Sequence, residues 1–93
     1  MEQNFKEWLN ENVLVSVKKE VPEGSVLKAH SNDFNEFFKV RIEKYSANKV
    51  TVTRLDKNKK EICKLKINNS FDGAEAFAKG KDFEVMLSSA MLA

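Results

Sequence analysis

Lys49 to Leu55 (KVTVTRL) and Glu61 to Ile67 (EICKLKI) flank the polar turn Asp56-Lys57-Asn58-Lys59-Lys60. Both flanks alternate, and a short polar loop between two alternating runs reads as a β-hairpin. Successive strand side chains point to opposite faces. Val50 and Val52 therefore share one side, opposite Thr51 and Thr53. In the second strand Cys63, Leu65 and Ile67 share a side, opposite Lys64 and Lys66.

Upstream of the hairpin, residues 33–45 admit two readings. As a helix, Phe34, Phe37, Phe38, Ile42 and Tyr45 fall on one face, with Asp33 and Glu36 able to cap its start. As a strand, Phe38, Val40 and Ile42 point one way and Lys39, Arg41 and Glu43 the other. The β-branched Val40 and Ile42 favour a strand at about 38–44. Further back, Val26 to Ala29 reads as a short strand and Val21-Pro22-Glu23-Gly24-Ser25 as a loop, because Pro and Gly interrupt regular structure. Val13, Val15 and Val17 alternate with Leu14 and Ser16, which suits another strand. Phe5, Trp8 and Leu9 lie at i, i+3 and i+4, which predicts a helix over about 5–11 with Asn4 as its cap.

Downstream, Asp72 and Glu75 have capping-box spacing, Phe77 reads as the apolar anchor of a helix, and Gly80 suits its end. From Asp82 a last helix is expected, with Phe83, Met86, Leu87, Ala90 and Met91 forming an apolar stripe. The expected fold is α+β: a small antiparallel sheet of three to five strands, its central meander at about 38–67. One N-terminal and two C-terminal helices would pack on one face of it. At 93 residues the chain is the size of one domain, 1–93. The expected core includes Trp8, Phe38, Val52, Leu65, Phe77, Phe83 and Leu87.

Charge is unevenly spread. Residues 38–69 hold ten Lys or Arg against three acids, although the whole chain is only +2. Placed on the expected sheet, Lys39, Arg41, Thr51, Thr53, Lys64 and Lys66 would form one outward basic face. Lys57 and Lys59 extend it at the hairpin tip. Such a grid suits phosphates or an acidic protein surface; a face kept polar for solubility is the competing explanation. The outward positions of that sheet contain no aromatic ring on which a base could stack.

Other chemistry finds little support. His30 has no triad partner, and no G-x-S-x-G elbow surrounds any serine. One Cys and one His are too few for a structural zinc site. Asp56-Lys57-Asn58 opens like a calcium loop but lacks the glycine and terminal glutamate of that motif. Cys63 cannot form an internal disulfide, and its strand parity makes it a buried, inert thiol in a reducing compartment. Residues 1–6 do not read as a signal peptide, and no apolar run is long enough to span a membrane.

The reading that follows is a small non-enzymatic, cytoplasmic binding protein of inhibitor or adaptor type, with no metal or cofactor. It would occupy a macromolecular surface: an acidic protein face first, the backbone of a nucleic acid second. Val85, Met91 and Leu92, at the charge-poor end of the expected last helix, offer a second contact for a partner or for a homodimer.

Overall fold

Six runs of the chain alternate buried and exposed side chains. In the computed structural model, which describes residues 14–70 and 73–93, each of these runs is a strand. They are β1 (Val26–Ser31), β2 (Phe37–Ser46), β3 (Lys49–Arg54), β4 (Lys59–Ser70), β5 (Gly73–Lys79) and β6 (Phe83–Met86). Every strand pairs antiparallel with the next, and β6 returns to β1 through His30↔Glu84 and Ser31↔Phe83, closing a barrel. Closure removes the sheet edges that an open antiparallel sheet must protect. Beyond β6 a 3-10 turn, Ser89–Met91, leads to Leu92, which bridges to Leu27, while the Ala93 N–H donates to the Val26 carbonyl.

The inward set is Leu27 and Ala29; Phe38, Val40 and Ile42; Val50 and Val52; Cys63; Ala76 and Ala78; Phe83, Val85 and Leu87. Leu65 and Ile67 are partly buried against it. A six-stranded barrel is narrower than the eight-stranded kind whose interior side chains just fill. Three inward positions are accordingly alanines. Phe38 and Phe83 meet edge to face, ring centroids 5.4 Å apart. A helix, α1, over 14–20 precedes the barrel and buries Val17, with Val21 just beyond its end. The Tyr45 hydroxyl donates to the Val21 carbonyl at 2.6 Å and ties that exit to the end of β2; burial pushes the phenol up to about 12.

The expected α+β arrangement is corrected: the sheet closes on itself as a six-stranded antiparallel barrel, and among the described residues no set of helices covers one face of it. The expected helices after Asp72 and after Asp82 are the strands β5 and β6. Ala, Glu and Lys give β5 good local helix propensity, but Glu75, Phe77 and Lys79 alternate outward against Ala76 and Ala78. Phe83, Val85 and Leu87 alternate likewise against Glu84 and Met86. Phe77 therefore faces out, only partly buried, rather than anchoring the core. The segment read as a strand around Val13–Val17 is helical from 14 onward. The helix expected over 5–11, with Trp8, lies outside the described residues. Gly80 ends β5, and a Cβ there would collide with the Glu61 carboxylate and the Phe83 ring. That carboxylate accepts from the Lys81 N–H at 2.6 Å.

Candidate binding surface

Closing a sheet into a barrel turns its outer face around a circle. Lys39 and Arg41 on β2 and Lys64 and Lys66 on β4 all point outward, as their parity requires, but β3 separates them and they do not form one plane. The single basic face expected from the sequence divides into two surfaces of different character.

On the β2–β3 side the Arg41 charge is already answered, while Lys39 is exposed and makes no ion pair among the described residues. The register slips between Ile42 and Lys44, a β-bulge centred on Glu43, and bulges re-aim side chains. The Glu43 carboxylate accepts from Thr53 Oγ1 at 2.6 Å and from Arg41 Nε at 2.8 Å. The Thr53 hydroxyl, then the Arg41 guanidinium, hold this carboxyl below its ordinary range. Thr53 is only 2 % exposed and offers nothing to a partner. Thr51, on the same strand, is part-buried.

On the β3–β4–β5 side the charge is unanswered. The register sets Lys49 opposite Lys64 and Lys64 opposite Lys79. Strands lie about 4.8 Å apart, so the row spans about 10 Å. None of the three makes an ion pair among the described residues, although Glu84 on β6 stands opposite Lys79. Like charges directly opposite destabilise a sheet, so the row opposes folding rather than supporting it. Lys66 lies one outward pair further along, opposite Phe77, and Ile62, 68 % exposed, lies one pair the other way. The sequence reading missed Lys49 and Lys79. The alternation of Glu75, Phe77 and Lys79 was the available signal for Lys79, hidden by helix propensity.

A third surface lies at one end of the barrel, where the β1–β2, β3–β4 and β5–β6 connections meet. Phe37 is 72 % exposed and Phe34 62 % exposed. Leaving a phenylalanine in water forgoes about 1.5–3 kcal/mol of burial. The rings of Phe34 and His30 stack at 4.1 Å and 15°, and Phe37 lies at 6.4 Å from His30, tilted by 60°. Phe34 has φ 60°, an uncommon conformation for a bulky residue. Its loop is held by Asp33, which accepts from Ser31 Oγ and from the Asn35 N–H and side-chain amide, and these bonds keep the Asp33 carboxyl low. The Asn32 N–H donates to the Asp82 carbonyl. Arg54 sits 3.7 Å over the Phe38 ring and pairs with both Glu36 and Asp56, so one cation is shared by two acids at this end. Lys57 and Lys59, the tip lysines, are exposed at the same end. The expectation that the outward positions of the sheet hold no aromatic ring is thus corrected by Phe37 and Phe77, and Phe34 adds an exposed ring from the β1–β2 loop.

The second expected contact does not assemble. Val85 is fully buried, Met91 packs against the core and Leu92 is exposed at the β1 bridge, so the three share no helix face. Cys63 is buried, and desolvation, then Glu61, pushes its thiol up to about 12. Among the described residues, no three His, Cys, Asp or Glu side chains cluster to hold a metal ion, and no helix is long and apolar enough to cross a membrane. Compared with protein families, curated proteins and solved structures, the chain has no match.

Proposed function

We propose that this chain is a non-enzymatic binding protein that grips the sugar–phosphate backbone of a nucleic acid with the row Lys49, Lys64 and Lys79, supported by Lys66. The row itself carries the reading. It sets like charges opposite one another across three strands, and none of the three makes an ion pair among the described residues, Glu84 standing opposite the last of them, Lys79. Neutralising phosphates with lysine releases condensed counterions, which gives such a row a strong use. Backbone contacts of this kind position a partner without reading its sequence. The buried, inert thiol fits a reducing, cytoplasmic setting.

An acidic protein surface is the second reading, and Ile62 favours it. An exposed isoleucine beside the lysine row resembles the apolar centre and charged surround of a protein interface. Exposed rings elsewhere tip the balance toward nucleic acid, since the lack of stacking groups is, with the low net charge of +2, what weighs against it.

Capture of partners from the native host, with and without nuclease, separates the two. Binding that disappears with nuclease supports the backbone grip, and binding that survives supports the protein partner. Against a defined oligonucleotide, affinity should fall as salt rises. The pair Lys64→Glu with Lys79→Glu should remove most of it while leaving the melt nearly unchanged, because surface substitutions cost within about 0.5 kcal/mol. Unaltered affinity in that pair would overturn the assignment of the row.

A further inference from the structure

We propose that Phe34, His30 and Phe37 form a stacking platform for unpaired bases, which would make the nucleic acid single-stranded. The inference rests on the backbone-binding reading above and adds the class of strand.

Three observations carry it. The first is exposure: two phenylalanines next to His30 stand in solvent, although the barrel interior is apolar and closed. The second is preorganisation. Phe34 is held over His30 in a left-handed conformation, in a loop fastened by Asp33, Ser31 and Asn32. The Nδ1–H of His30 donates to the Ser31 carbonyl at 3.0 Å, which fixes the imidazole plane. A platform already in place loses little freedom when a base arrives. The third is charge. His30 pairs with Phe37 across β1 and β2, and the next outward pair is Lys28↔Lys39. Two residues along a strand is about 6.8 Å, so two ammonium groups border the rings within reach of the phosphates of a stacked nucleotide. Aromatic rings beside a basic track are how proteins hold single strands, because every base has a π-face to stack.

The platform is also continuous with the lysine row. The outward register runs Lys49, Lys64, Lys79, Glu84, His30, Phe37 around the barrel. One strand could lie on both surfaces. Glu84 stands between them and repels a phosphate, so the backbone meets the lysines on either side of it and a base faces the platform. Asp33 and Asp82 lie at the loop end of the platform, away from Lys28 and Lys39.

The experiment is fluorescence anisotropy with a labelled oligothymidylate of about 12 nucleotides, within the span of small single-strand sites, and with a duplex of equal length. The wild-type chain should prefer the single strand. Phe37→Leu should weaken single-strand binding about fivefold or more, Phe37→Tyr should retain it, and neither should alter duplex binding. Phe34→Gly, which removes the ring and suits the left-handed backbone, should act like Phe37→Leu. Equal affinity for both probes, or single-strand affinity unchanged in both Phe37→Leu and Phe34→Gly, overturns the platform. If Lys64→Glu with Lys79→Glu still weakens binding in that case, the backbone grip stands without it. No binding of either probe by the wild-type chain overturns both.

Discussion

The β2–β3 corner and the β3–β5 row carry the same kind of residue to different ends. At the corner, a bulge brings Glu43 onto Arg41 and Thr53, and the cation is consumed within the molecule. In the row, each lysine faces another across the sheet, and its charge stays available to solvent. Counting lysines and arginines along the chain scores the two alike. Available charge depends on what the neighbouring strand sets opposite, and that is a property of register.

The largest expected effect breaks the comparison outright. Reversing the row with Lys49→Glu, Lys64→Glu and Lys79→Glu should lower affinity for a single-stranded oligonucleotide roughly a hundredfold. It should also reduce the salt slope by about 2, since each phosphate contact contributes about 0.7. Arg41→Glu in the same titration should do far less. Equal losses from the two would abolish the distinction between corner and row.

Thr53→Val tests the corner through stability. A hydrogen bond to a charged group contributes about 1.5–3 kcal/mol. Glu43 is only part-buried and can recover water, so a loss of about 1–2 kcal/mol in denaturant unfolding is expected, with oligonucleotide affinity unchanged. A loss of affinity instead would move the corner into the binding surface.

Acid sharpens the same contrast. Glu43 has a depressed folded value, caused first by the Thr53 hydroxyl and then by Arg41. Its contribution to stability is complete above the ordinary glutamate value of about 4.3. It is lost as pH falls through the lower folded value, where the native carboxylate takes up its proton. Glu43→Gln should flatten this part of the stability–pH curve, while Lys79→Gln should leave it in place. Thermal melts of the three proteins between pH 3 and about 6 would show it.

The smallest effect is a gain. Lys49→Gln removes one like-charge pair from the row, Lys49 facing Lys64 on one side and the uncharged Ser46 on the other, and should raise stability by about 0.2–0.5 kcal/mol at low salt, fading as salt screens the row. A loss of stability at low salt would mean that Lys49 has a favourable partner in the fold.

The sequence by itself determined the faces of the middle strands. Phe38, Val40, Ile42, Val50, Val52 and Cys63 are buried, and Lys39, Lys64 and Lys66 are exposed. That pattern is local: alternation with β-branched residues suits one pleated surface, and a one-residue slip would put the whole set in water. Tertiary structure decided the rest. Residues 73–79 and 83–86 have the propensity and spacing of helices, and only pairing with β4 and with β1 makes them strands. The β4–β5 pairing is a hairpin between consecutive strands, masked by the helix propensity of β5, whereas the β1–β6 pairing joins His30 to Glu84, far apart in the chain, and no local window contains it. Strand pairing set β3 between Arg41 and Lys64 and brought Lys79 beside Lys64, and the closed ring left Phe34 and Phe37 outside a barrel whose interior holds Ala29, Ala76, Ala78 and Phe83. Parity along a strand is set by the backbone of that strand. Which strands lie side by side, and so which side chains share a surface, is set by how six of them close a ring.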